Sequence, residues 1–257
     1  MSELPEELPE LAVPANDNRD DLGRRLREAG PEELLALLEE HAGRLDAPAA
    51  RQALRNPHAG AEVVDLLAGH PRLLAFYEVR RDLALHPKTP EVLALRFVPG
   101  LFWRDLMALG LDTRLRPTLR RAADLQLLSH LQALAAGERV ALARRASAAI
   151  LAQLRNDPSP RVIAALLDNP RLTEGILAPV LASSSTPPAI LDLIAGDRRW
   201  GVRYPLKVAL AKNPRTPLET VLRILAALRK PDLKSVASDP RLPEPARFRA
   251  RLLLGEL

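Results

Sequence analysis

Shifted 127 residues along itself, this 257-residue chain matches without a gap. His86-Pro87-Lys88-Thr89-Pro90 falls on Asn213-Pro214-Arg215-Thr216-Pro217, Leu95-Arg96 on Leu222-Arg223, Asp105-Leu106 on Asp232-Leu233, Arg114-Leu115 on Arg241-Leu242, and Tyr77 on Tyr204. Over residues 57–123 against 184–250, 21 of 67 positions are identical, about 31%. Two such copies nearly fill the chain. A chain of this kind buries its apolar faces between successive units, which marks a solenoid. Repeat arrays present surfaces more often than they carry chemistry, so the expected role is binding.

The residue types fit that frame. Leu, Ala and Val dominate an apolar share of 47%, and aromatics are only 3%. Leu and Ala are strong helix formers with compact side chains, suited to close helix stacking. The 24 prolines are too many for long helices and suit many short ones, each started or stopped by Pro. The expected fold class is all-α, a right-handed α-solenoid of short paired helices. With no cysteine, disulfides, thiolate metal sites, iron–sulfur clusters and cysteine nucleophiles are excluded. No apolar run approaches the roughly 18 residues that span a bilayer. The start Met1-Ser2-Glu3-Leu4-Pro5 lacks the basic and apolar regions of a signal peptide, so the cytoplasm is the expected location.

Residues 1–21 carry seven acids against Arg19, a net of −6, while residues 22–257 carry +11. The first stretch is expected to be a disordered acidic tail. It is also expected to fold back over basic residues and compete with an anionic partner. Residues 22–257 are expected to form a single solenoid. Its first half is about 27–126, its joining helices about 127–153 with one helix over Val140–Leu154 after a break at Gly137, and its second half about 154–257. Within the halves a polar residue before Pro recurs: Asn56, His70, His86, Asp157, Asn169, Asn213 and Asp239. The residue before Pro is pushed out of the α region, so each pair should close a helix, and the short polar side chain can bond to nearby backbone. Thr89-Pro90, Ser159-Pro160, Thr186-Pro187 and Thr216-Pro217 should open the next helix, the hydroxyl capping it. Thr216 and Glu219 have capping-box spacing.

The run Val202 to Leu222, Val-Arg-x-x-x-x-x-Ala-x-Asn-Pro-x-Thr-Pro-x-x-x-Val-Leu with slight drift, resembles the leucine-rich repeat variant family and is similar to the broader HEAT-like α-solenoids. The resemblance covers roughly residues 50–100 and 154–250 and implies paired short helices stacked into a right-handed superhelix. The spacing here is irregular, and the cysteine-bearing iron–sulfur segment of that family's best-known member is absent.

No Gly-rich phosphate loop, GxSxG elbow or HExxH spacing occurs, and the five histidines, two of them before Pro, fit turns, so neither metal nor cofactor is expected. The scarce aromatics cluster with arginines. Tyr77, Arg80, Arg81, Trp103 and Arg104 in one half, and Arg198, Arg199, Trp200, Arg203 and Tyr204 in the other, are the candidate partner-binding residues. Asp105 recurs as Asp232, which points to a helix-capping role. The expected function is a non-enzymatic scaffold that binds a protein partner, an acidic one where arginines line its concave helices. The alternative is a nucleic-acid-binding solenoid. Its less favoured enzymatic form is a DNA-base glycosylase, because HEAT-like glycosylases hold damaged nucleotides with Trp, Tyr, Asp and Arg. Arg outnumbers Lys 32 to 5, which genome base composition explains more readily than phosphate or carboxylate recognition does.

Overall fold

A computed structural model describes residues 17–256. Among them there are eighteen α-helices, three short 3-10 turns and no strand. The fold is all-α, as composition requires. The acidic segment up to residue 16 lies outside the described residues. The first helix begins at Asp17, so residues 17–21 of the expected disordered tail are helical.

Two compact units divide the chain. The first ends at Asp105 and takes in Asp112–Arg120; the second comprises Leu106–Leu111 and Arg121–Leu257. In chain order the helices are α1 Asp17–Glu28, α2 Pro31–Glu40, α3 Ala47–Arg55, α4 Ala61–Ala68, α5 Pro71–Leu74, α6 Tyr77–Leu85, α7 Glu91–Phe97, α8 Trp103–Leu111 and α9 Pro117–His130. There follow α10 Ala136–Ala143, α11 Ala148–Leu154, α12 Pro160–Leu167, α13 Glu174–Ala182, α14 Pro188–Gly196, α15 Tyr204–Lys212, α16 Leu218–Leu225, α17 Lys230–Ser238 and α18 Glu244–Leu254. Helices α13 to α18 start 127 residues after α3, α4, α6, α7, α8 and α9 respectively. Helix α5 has no helical counterpart, because residues 198–202 form turns.

Much of the packing within each unit passes over one or more neighbouring helices, alongside sequential pairs such as α6 on α7 and α17 on α18. In the first, α1 lies on α3, α3 on α6, and α2 on α4. In the second, α11, α13, α15 and α17 follow one another in one layer, while α10, α12 and α14 do so in another. Leu, Ile, Val and Ala fill the interior: Leu26, Leu34, Leu38, Val64, Leu67 and Leu83 in the first unit, Ile150, Leu166, Leu181, Leu191, Leu210 and Leu225 in the second. Each fully buried side chain of this size contributes about 1.5–3 kcal/mol.

The polar-Pro turns form as their chemistry dictates. The side chains of Asn56, Asp157, Asn169, Asn213 and Asp239 each accept the backbone N–H two residues on, at 2.7–3.0 Å. Three of them also reach back to an earlier helix end. Asn56 Nδ2 donates to the Leu26 and Ala29 carbonyls, Asn169 Nδ2 to those of Ala143 and Ala146, and Asn213 Nδ2 to those of Leu181 and Ser183. The terminal carbonyls of one helix thereby find donors from a turn more than twenty residues later.

Two local expectations fail. The threonines do not cap the helices they precede. Thr89, Thr186 and Thr216 instead donate backward, to the carbonyls of Leu83, Val180 and Leu210 at 2.6–2.7 Å. The N-cap residue is the following proline, so each hydroxyl stands one residue outside the new helix and nearer the orphan carbonyls of the old one. Ser159 is an N-cap but makes no side-chain cap bond. The other failure is the segment Val140–Leu154. It is two helices, parted at Arg144–Ala146, with Ser147 Oγ accepting the Ile150 N–H at the start of α11. Gly137, expected to break structure, lies inside α10.

Candidate interaction sites around two tyrosines

Tyr77 opens α6 and Asp105 lies in the first turn of α8. The Tyr77 hydroxyl donates to Asp105 Oδ2 and accepts the Phe102 N–H at 2.9 Å. The phenol therefore ties the start of one helix to the start of another. Partial burial first, then the bond to the Asp105 carboxylate, push the Tyr77 hydroxyl up to about 12, because both disfavour a second negative charge. The Phe102 ring lies over Tyr77, centroids 4.4 Å apart and planes tilted by 36°. Phe102 is 66% exposed, and Phe76, the residue before Tyr77, is 48% exposed. Trp103 is half-buried, with the Arg104 guanidinium 5.2 Å from its ring centroid.

The second unit repeats the tie with other neighbours. The Tyr204 hydroxyl donates to Asp232 Oδ2 at 2.5 Å and accepts the Arg229 N–H at 3.0 Å. Its partial burial and its bond to Asp232 raise its pKa, in that order. The same bond, followed by Lys212, holds Asp232 below the ordinary carboxylate range. Here the group above the ring is the Arg229 guanidinium, 4.7 Å from the centroid.

The predicted residues fare unequally. Tyr77, Trp103 and Arg104 gather at the start of α8, and Tyr204 occupies the corresponding place in the second unit. Arg80 is spent on the end of α5, Nη1 donating to the Leu74 and Ala75 carbonyls at 2.7 and 3.2 Å. Arg81 is bonded to Asp82 at 2.6 and 2.8 Å, and Asp82 also takes Arg51 Nε at 2.7 Å. Trp200 is a core residue: it is 1% exposed, and its Nε1 donates to the Leu167 carbonyl at 3.0 Å. As a candidate for partner contact it is therefore corrected. Arg199 and Arg203 lie over its indole at 4.5 and 5.0 Å, and Arg203 pairs with Glu174 at 2.5 Å. Arg198 is exposed in the turn before it.

No family model matches the chain, and no curated protein or solved structure does. The residues sequence reasoning undervalued are Phe76, Phe102 and Arg229, which decide what each tyrosine presents to solvent. Asp105 and Asp232 serve as hydroxyl acceptors rather than helix caps. The available signal was a Tyr followed 28 residues later by an Asp in both halves. Among the described residues no group of three His, Asp or Glu is placed to hold a metal ion, and no helix is long and apolar enough to cross a membrane.

Proposed function

We propose that the helix pairs of each unit are α-solenoid repeats of HEAT-like or leucine-rich-repeat-variant type, arisen by tandem duplication, and that the protein is a non-enzymatic scaffold for a protein partner. Helix starts 127 residues apart, next-but-one packing and the Asn ties between helix ends support the repeat reading. One observation carries the binding role. Phe102 and Phe76 stand in solvent beside a tyrosine whose hydroxyl is fixed by a carboxylate and a backbone N–H. An exposed ring held against a fixed tyrosine, as Phe102 is, loses little entropy when covered and supplies the kind of contact that dominates protein interfaces. Arg104 beside Trp103 adds a cation for an acidic rim on that partner.

Affinity capture with the full chain, its Phe102→Ala variant and a Phe248→Ala variant tests this. A partner retained by the full chain and by Phe248→Ala, resistant to nuclease, and lost with Phe102→Ala supports the role. Equal retention by all three sinks it. A second reading, nucleic-acid binding, is favoured by one observation in the second unit, where Arg203, Arg229 and Lys230 replace Phe76, Phe102 and Trp103. Duplex DNA anisotropy at roughly 50 and 200 mM salt checks it, since six to ten phosphate contacts would cost about 10³–10⁵ in affinity across that range. Base excision would further require a carboxylate able to act on substrate, and Asp105 Oδ2 is already held by Tyr77.

A further inference from the structure

In the first unit Asn56 closes a join. Its Nδ2 donates to the carbonyls of Leu26 and Ala29, both at 2.9 Å, and its side chain is buried. The residue 127 places on is Ser183, and those carbonyls correspond to Gln153 and Asn156. A serine hydroxyl stands one atom nearer the backbone than the asparagine Nδ2 and does not make the reach. Its hydroxyl turns to its own turn instead, 2.8 Å from Ser185 Oγ and accepting the Ser185 N–H at 3.2 Å. Between Asn156 and Ser183 the second unit has a cleft of about 240 Å³.

The lining of that cleft is selective. Val180, Ile190, Pro158 and Pro187 give it an apolar wall, and Arg155, Asn156, Ser183 and Ser185 bring donors. Arg155 is underused: its Nε is shut off from solvent without a partner, and its one bond, Nη1 to the Ile176 carbonyl, is long at 3.4 Å. The one carboxylate in the lining, Asp157, does not pair with it. Asp157 Oδ2 takes Arg139 Nε at 2.7 Å and Oδ1 takes the Ser159 N–H at 2.9 Å. One uncompensated guanidinium beside hydroxyls and an amide matches a single negative charge with two oxygens. A cavity of about 150 Å³ holds a benzene ring, so this cleft has room for a carboxylate with a branched aliphatic body.

We propose that the Arg155–Ser183 cleft is a carboxylate-binding site, created where a serine replaces the asparagine that seals the equivalent join. The carboxylate is either a small aliphatic acid or an acidic side chain of a peptide. The site does not depend on the scaffold role proposed above, and its test is separate.

The probe is 3-methylbutanoate, titrated to roughly 20 mM into the isotope-labelled full chain at constant ionic strength, a range set by the millimolar affinity expected of so small a ligand. Amide shifts at Ser183, Ser185 and Thr186 are expected to saturate. Arg155→Gln should weaken the response at least tenfold. Ser183→Asn should abolish it, and by restoring the seal should raise the Tm by about 2–4 °C. An acetylated and amidated Leu-Glu-Leu peptide binding more than tenfold tighter than the free acid identifies a protein side chain as the source; the reverse order identifies a small acid. No saturable shift in the full chain, an equal shift with sulfate, or an unchanged response in Arg155→Gln overturns the proposal. The last of these holds even if Ser183→Asn does not fold.

Discussion

The two tyrosine sites have one skeleton and opposite dress. In both, the phenol donates to a carboxylate 28 residues on and accepts a backbone N–H 25 residues on. Around Tyr77 stand Phe76, Phe102 and Trp103; around Tyr204 the same positions hold Arg203, Arg229 and Lys230. Even the cation that balances the aspartate has moved. Arg81 acts electrostatically on the first site, whereas its counterpart is Val208; Lys212 bonds Asp232 in the second, whereas its counterpart is Leu85. Residues 81 and 85 are one helical turn apart, so the charge shifts along a single face without leaving it. The lesson is that the hydrogen-bonded tie is architecture. The residues laid over it are what one unit offers and the other does not.

The largest effect should come where the frames diverge in the core. Trp200 fills the place that Leu73 holds in the first unit, both 1% exposed. Trp200→Ala should cost about 3–5 kcal/mol by denaturant titration and Trp200→Leu distinctly less, because leucine is what the corresponding position accommodates. Gly201 extends the test. A Cβ there would lie 2.2 Å from the Ala195 carbonyl oxygen, yet its counterpart is Leu74, within helix α5. Gly201→Ala should therefore rival Trp200→Ala, while the step from Leu74→Ala to Leu74→Gly, which leaves aside the packing of Leu74 on the core, should cost only about 1 kcal/mol of helix propensity. Equal costs for these two changes would show that the turn at 198–202 is not a distinct conformation.

The tie itself comes next. Tyr77→Phe removes a bond to a carboxylate and leaves the Phe102 N–H without that acceptor, a loss of about 1.5–3 kcal/mol. Tyr204→Phe should cost less, since Lys212 still holds Asp232. The first site also carries a pH signature. A hydroxyl at about 12 when folded and near 10 when unfolded gives stability that is intact below about pH 10 and lost as pH climbs toward 12. Urea midpoints followed from pH 8 to 11.5 should fall more steeply for the full chain than for Tyr77→Phe, as the model-compound value implies. Parallel curves would break the link between the tie and the fold.

The backward-bonding threonines rank below. Thr216 is 4% exposed and Thr89 is half-buried, with the same bond in each. Thr216→Ala strands a buried carbonyl and should cost about 1–3 kcal/mol, and Thr89→Ala about 1 kcal/mol. A forward cap would instead tie the loss to α7 and α16 in hydrogen exchange. The backward bond puts it in α6 and α15.

What the sequence made legible follows from how local each cause is. Helix starts were readable because Pro and its polar neighbour act within a few residues. The direction of the threonine bonds was not, since a hydroxyl between two helix ends can serve either, and only the placement of Pro90 and Pro217 as N-caps decides it. The break at Arg144–Ala146 carries neither Pro nor Gly. Trp200 drew attention as a rare aromatic, yet its alignment with Leu73 already marked a core position. The Tyr–Asp ties and the Ser183 cleft depend on groups 25 to 30 residues apart in the chain, visible only by setting one half on the other.

The smallest change in stability should accompany the sharpest test of that comparison. Phe102→Arg and Arg229→Phe exchange the two coverings and leave both ties untouched, because each residue contributes only its backbone N–H to the bond. Surface changes of this kind usually move stability within about 0.5 kcal/mol, and the lost cation–π contact at Tyr204 is worth about 0.5–1 kcal/mol. The melting curve should therefore stay nearly fixed. Recognition should not. If the covering alone decides what a site binds, Phe102→Arg should abolish capture of a protein partner, and Arg229→Phe should lessen any salt-sensitive nucleic-acid affinity and reduce its salt slope by about 1. Retention of both properties in the double exchange would mean that neither tyrosine site is a recognition surface, and that the ties are purely structural.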